Sequence, residues 1–198
     1  MKKVKMILIA VLAIMGQGAF AQINWIVDQA HTKVGFSVTH MAVSQVEGNF
    51  KKFEGKITTE DEDFKNTNIQ FTLDVNSITT ENEMRDKHIK SDDFFNAEKF
   101  PTITFKSKSF KKIDGKKYIL TGDMTVRDVT KTVDLAVIYN GKVNDPYGNL
   151  RAGFKVSGKI NRLDYNLKWN TLMGGGDAVV GKDVEFNVNI EVTKEKVK

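Results

Sequence analysis

The stretch Asp183–Val192, DVEFNVNIEV, decides the fold class. Val184, Phe186, Val188, Ile190 and Val192 alternate with Asp183, Glu185, Asn187, Asn189 and Glu191. A period of two puts one face of a β-strand on a core and the other in water. The same alternation runs upstream through Val34, Phe36 and Val38, then Val46, Gly48 and Phe50. Its parity flips at Phe53, Gly55 and Ile57, so one extra residue near Lys51-Lys52 predicts a bulge or sharp bend. Further strands follow at Ile69–Val75, Thr102–Phe110, Tyr118–Val126, Val133–Tyr139 and Phe154–Ile160, with turn signals at Asp114-Gly115 and Asn144–Gly148. A sheet with one apolar face per strand must close on itself or meet another sheet. The reading is all-β: a single antiparallel barrel of about eight strands. Such a barrel is either filled by side chains or holds one ligand. The inward-facing Gly48, Gly55, Gly122 and Gly158 either leave room or relieve crowding at bends.

One long break interrupts the strands: Met84–Phe105, MRDKHIKSDDFFNAEKFPTITF. Thr80-Glu81-Asn82-Glu83 has the pattern of a capping box, with Thr80 as N-cap and Glu83 reaching back. Met84 and His88 then stand one helical turn apart, and Ser91 is placed to cap a second turn ahead of Phe94. Pro101 holds Phe100 extended and returns the chain to a strand. This short helical crossover is expected at the mouth of the barrel. A second irregular segment, Asp164–Lys182, carries Trp169, Leu172, Met173 and three consecutive glycines. It suits a lid or a dimer contact.

Lys2, Lys3 and Lys5, an apolar run from Met6 to Met15, and Ala19-Phe20-Ala21 have the layout of a cleavable signal peptide over residues 1–21. The run is shorter than the roughly 18 residues a membrane span needs. Removing 21 of the 198 residues leaves 177 in one domain, residues 22–198. Losing the three leader lysines reduces the formal charge from +5 to +2. No basic stripe remains to support nucleic-acid binding. An exported chain without Cys has neither disulfides nor thiol chemistry.

Little in the sequence points to catalysis. His31, His40 and His88 lack the spacing of a metal site, and no cofactor motif is present. Asp28, three residues before His31, reads as an Asx turn. Asp92 and Asp93 suit a helix start better than a shared acid–base site, because adjacent side chains on a helix do not face each other. No GxSxG elbow occurs, and Gly174-Gly175-Gly176 lacks the context of a phosphate loop.

The segment Asp28–His40 resembles the opening motif of the YceI-like proteins. Arg85–Phe95, continuing to Phe100–Phe105, is similar to their central motif, and Gly122–Lys131, Gly153-Phe154 and Asn161–Tyr165 resemble the later blocks. Asp128 and Asn166 stand where glycine is common, and both residue types tolerate a left-handed backbone. The resemblance implies a lipocalin-like barrel exported to the periplasm and binding a long polyisoprenoid or similar amphiphilic lipid, an isoprenoid quinone among them, for storage or transport. Phe36, Val38, Phe71, Leu73, Phe105, Met124, Phe154, Val156, Phe186 and Val188 are expected to line the tube. His40, Arg85, His88 and Asp92 are expected at the mouth, facing the head group. A homodimer and a transient contact with a membrane surface are compatible with this reading. Two alternatives stay open: an enzyme acting on such a lipid, with His88 and Asp92 as acid and base, and a filled barrel acting through its surface.

Overall fold

The computed structural model describes residues 22–196; the signal-peptide reading of residues 1–21 lies outside the described residues. Eleven strands form one antiparallel sheet. They are β1 (Ile23–Val27), β2 (Lys33–His40), β3 (Ser44–Phe50), β4 (Phe53–Thr59), β5 (Asn68–Asp74), β6 (Ile78–Thr79), β7 (Thr102–Asp114), β8 (Lys117–Val126), β9 (Val129–Asn144), β10 (Leu150–Asn161) and β11 (Val180–Lys194). A helix, α1 (Glu83–Lys90), sits between β6 and β7.

The sheet closes because β1 pairs with both β4 and β11. Three segments are continuations of others. β1 and β2 lie end to end along β11, β3 and β4 run on from each other, and β6 prolongs β5, so eleven segments make eight staves. The parity flip at Lys51-Lys52 is the break between β3 and β4, and it leaves both Phe50 and Phe53 buried. The break between β1 and β2 is an Asx turn, in which Asp28 accepts from the backbone N–H of Ala30 and His31.

The glycines have a specific use. A Cβ on Gly48, Gly55 or Gly122 would overlap the ring of Phe36, Phe71 or Phe105, and one on Gly158 would overlap Leu135. Each glycine seats a neighbouring large side chain flat against the sheet. Gly122→Ala is expected to destabilise the fold by about 1–3 kcal/mol. The added carbon would meet the Phe105 ring and stand 2.6 Å from the backbone oxygen of Lys106, which cannot swing aside. The urea midpoint checks this.

The end away from the helix is plugged. Phe64, in the loop between β4 and β5, is buried and stacks on Trp25 at 4.7 Å. It also meets Phe154 edge-on at 4.8 Å, and Tyr139 packs on Phe154 at 5.2 Å. The Trp25 indole N–H donates to the Thr59 hydroxyl at 3.0 Å. Outside the same half of the barrel, Arg151 donates to Asp28 (2.7 Å), Asp145 (2.8 Å) and Glu191 (2.6 Å). Asp28, His31 and Glu191 lie close enough to hold a cation, but the Arg151 guanidinium already bridges the two carboxylates.

This network makes stability pH-dependent. Hydrogen bonds from His31 and then Arg151 hold the Asp28 carboxyl well below its usual range. Arg151 and then the Asn149 backbone do the same for Asp145. Depressed folded-state values give stabilisation that is complete above the unfolded carboxylate pKa, about 4, and is lost as pH falls through the folded values. The thermal midpoint is therefore expected to fall from pH 5 toward pH 3, with a shallower fall in Arg151→Met. His31 has the opposite sign. Its hydrogen bond to Asp28 raises its pKa, so that contribution is present below about 6.5 and fades as pH rises through the folded value.

Three local expectations are corrected. The N-cap of α1 is Asn82, whose side chain accepts from the Arg85 N–H at 3.0 Å. Glu81 takes a left-handed turn (φ 61°) ahead of it, so Thr80 lies too far back to cap and instead donates its N–H and hydroxyl to Asp86. Ser91 closes α1 rather than opening a second turn through its side chain, because its hydroxyl donates to the His88 carbonyl. At the β8–β9 turn the left-handed residue is Arg127 (φ 54°), not Asp128, whereas Asn166 does adopt it (φ 62°).

Candidate functional site

Inside the barrel, on the helix side of the aromatic plug, lies a cavity of about 380 Å³. All ten residues expected in the tube are on its wall, from Phe36 and Val38 on β2 to Phe186 and Val188 on β11. They converge because the strand period points every second side chain inward. Val156 faces Val188 across β10–β11, and Phe71 faces Phe105 across β5–β7. The internal void departs from the filled-barrel alternative.

The mouth gathers four connections: the β2–β3 turn, the crossover with α1, the β8–β9 turn and the segment between β10 and β11. His40, Arg85 and His88 are on the cavity wall. Arg85 donates Nε and Nη2 to the Thr80 hydroxyl and carbonyl, at 2.7 and 2.8 Å. His88 pairs through Nε2 with Asp93 at 2.8 Å and meets Phe94 and Trp169 edge-on.

Asp92 is a correction. Its carboxylate lies outside the cavity and is highly exposed, paired with Arg127 at 3.2 Å and accepting from Asn96. The cause is the turn after α1. Arg127 donates to the backbone oxygens of Asp92 (3.1 Å), Phe94 (2.7 Å) and Asn166 (3.0 Å), drawing that part of the crossover onto the β8–β9 turn. The enzyme alternative therefore loses its pair, because the acid beside His88 is Asp93 and Asp92 faces away.

The charged wall residue that sequence reading missed is Arg162. It is 2 % exposed. Nε donates to the Gly181 carbonyl (2.8 Å), Nη1 to those of Leu167 (2.7 Å) and Trp169 (2.8 Å), and Nη2 to that of Val180 (2.9 Å) and to Asn170 Oδ1 (3.3 Å). All five N–H groups are used and no partner is a carboxylate. Burial pushes the guanidinium below its ordinary pKa, yet arginine keeps its proton. Its partners are the first part of the segment between β10 and β11 and the first two residues of β11, so Arg162 ties that segment to the strand it leads into, at the mouth. Trp169 is thereby set against Phe94 and His88, while Leu172 points away and is 58 % exposed. The available signal was a lone arginine after the inward Ile160. Phe64 was also missed, although an aromatic residue directly after the acidic run Glu60–Asp63 is conspicuous.

The ionisable residues on the cavity wall are thus His40, Arg85, His88 and Arg162, all basic, with no carboxylate among the lining residues. Their polar atoms are largely engaged by the protein itself, so the surface turned to the cavity is nearly all hydrocarbon, which suits an apolar chain.

The YceI-like domain model matches residues 25–192. The chain is 36% identical over 166 residues to UPF0312 protein plu2095 of Photorhabdus laumondii, covering 84% of this chain and 83% of that one. The crystal structure of the Campylobacter jejuni YCEI protein superposes with a TM-score of 0.69 at 34% identity, over 85% of this chain and 96% of its own. A polyisoprenoid binding domain from Saccharophagus degradans shares the fold with a TM-score of 0.62 at 13% identity, over 86% and 98% of the two chains. Agreement of fold, of sequence across the whole barrel and of the family model makes this chain a member of the YceI-like family.

Proposed function

We propose that this protein is an exported, periplasmic binding protein that holds a long isoprenoid lipid or isoprenoid quinone for storage or transport. The observation that carries the proposal is the apolar cavity of about 380 Å³, closed at one end by aromatic rings and bordered by His40, Arg85, His88 and Arg162 at the other. Its volume lies within the roughly 300–1,000 Å³ of ligand pockets. Burying each CH2 of a lipid tail contributes about 0.8 kcal/mol, so even part of a prenyl chain inside a preformed tube binds well. The Saccharophagus degradans domain, described as polyisoprenoid binding, supports the ligand class through its shared barrel. Arg85 lies on the cavity wall and uses only Nε and Nη2 in its bonds to Thr80, which supports a role for its remaining amino group in holding a quinone carbonyl, hydroxyl or phosphate. The leader-like residues 1–21 support export.

The test is native mass spectrometry of the protein from Gln22 onward, purified without detergent and then extracted with solvent. A stoichiometric extra mass that extracts as a prenyl compound is the expected result. A bare protein mass that stays unchanged after incubation with polyprenols and quinones overturns the proposal.

A further inference from the structure

The β2–β3 hairpin at the mouth is built against its own turn chemistry. Met41 and Ala42 occupy its two central positions, both left-handed (φ 51° and 60°), and the Val43 N–H closes the turn onto the His40 carbonyl at 3.2 Å. Two left-handed centres are the pattern of a type I′ turn, which strongly prefers Asn-Gly or Asp-Gly. Met and Ala pay a steric penalty there. The tip is also apolar where turns are usually polar: Val43 is 85 % exposed and Met41 43 %. Leu172, 58 % exposed, belongs to the neighbouring lid segment. That segment is joined to the hairpin by the bond from the Met41 N–H to the Val179 carbonyl, and within it the Val179 N–H donates to the Thr171 carbonyl and Leu172 bridges to Ala178, which brings Leu172 alongside.

This apolar tip runs into the cavity. Thr39, His40, Val179 and Val180, which flank it, are on the cavity wall. A patch of three side chains on a hairpin is far below the roughly 800 Å² per partner of a stable protein interface. It is well suited to shallow insertion between lipid head groups. Lys87, Lys90, Arg127, Lys168 and Lys182 around the mouth are interspersed with Glu81, Glu83, Asp92, Asp93, Asp128, Asp177 and Asp183, so the rim carries no basic cluster that would require anionic lipid.

We infer that Met41, Val43 and Leu172 form a bilayer-docking tip that seats the mouth on a lipid surface for loading and release. This rests on the lipid-carrier reading above. The strained turn is retained because its apolar side chains are used outside the fold.

The test uses Met41→Asn/Ala42→Gly/Val43→Thr with Leu172→Ser, in the mature chain, against phosphatidylcholine vesicles with and without phosphatidylglycerol. Two quantities are read: co-flotation of unloaded protein with vesicles, and the rate at which a fluorescent polyprenol leaves loaded protein. Wild type is expected to float with both vesicle types, and its release rate to rise with vesicle concentration. The variant is expected to partition about tenfold less or weaker, and to release at a rate independent of vesicle concentration. Its thermal midpoint is expected to rise by roughly 4 °C, because the turn residues now match the turn. That rise separates a docking role from a structural one. Equal flotation of variant and wild type, or no flotation of either, overturns the docking inference, the second outcome leaving a protein partner for the tip. Failure to load the polyprenol while flotation behaves as expected overturns the carrier reading and leaves docking standing.

Discussion

Replacing Val156 and Val188 together by phenylalanine is expected to weaken lipid binding by about 100-fold or more while leaving the protein as stable as before. The two residues face each other across β10–β11, and both are on the cavity wall. Two phenyl rings at these positions enter the same space from adjacent strands. They take up volume that a prenyl tail would otherwise occupy. Each excluded CH2 costs the ligand about 0.8 kcal/mol, so displacing four or so accounts for the loss. In a filled core the same change would overpack and destabilise by about 1–3 kcal/mol. Here the empty cavity absorbs the rings, and filling a void recovers contacts that its lining lacks. Binding of a fluorescent polyprenol and the thermal midpoint are measured together. Unchanged affinity in a folded variant shows that the lipid does not lie between β10 and β11. Lost affinity with a collapsed midpoint shows that there was no space to fill.

The second large effect is at Arg162. Arg162→Met is expected to lower the unfolding free energy by about 3–5 kcal/mol, as removing one side of a buried charged network does. The size follows from the partners left behind: the carbonyls of Leu167, Trp169, Val180 and Gly181 and the amide oxygen of Asn170. A buried acceptor without a donor costs about 1–3 kcal/mol, and a thioether supplies no donor. Relaxation of the segment between β10 and β11 moderates the sum by exposing these groups to water. The same relaxation frees Trp169 from Phe94 and His88, so a red shift of its fluorescence and earlier proteolysis within residues 167–181 are expected alongside the lower midpoint. Arg162→Lys keeps the charge but has three donors on a flexible stem, and it is expected to fall between the two. A midpoint for Arg162→Met within a degree of wild type would show that the network is not holding the mouth.

The strand pattern carried most of the fold. In a strand, one parity is inside and the other outside over its whole length, so the single observation that Val184, Phe186 and Val188 share a parity places all three. That rule, applied strand by strand, puts the ten tube residues on inward-facing parities, and all ten are on the cavity wall. It also marked the turns at Gly115 and Asn144–Gly148, where short-range chemistry is enough.

The mouth follows other physics. Apart from His40, at the end of β2, its residues lie on a short helix, a 3-10 turn and irregular loops, where no period ties one side chain's direction to the next. His40, Arg85 and His88 reach the cavity, yet Asp92 turns outward because Arg127, 35 positions away in the chain, holds its backbone and carboxylate. Arg162 goes inward because four carbonyls, two from the segment after β10 and two from the start of β11, converge on it. Phe64 plugs the far end because Trp25 and Phe154, on other strands, offer it an aromatic seat. The sequence by itself determined an all-β barrel and which strand residues face its interior, because alternation is a local property of the chain. Whether the interior is empty, which charges reach it and what closes its two ends were decided only by the tertiary structure, because each depends on contacts between segments that no local pattern links.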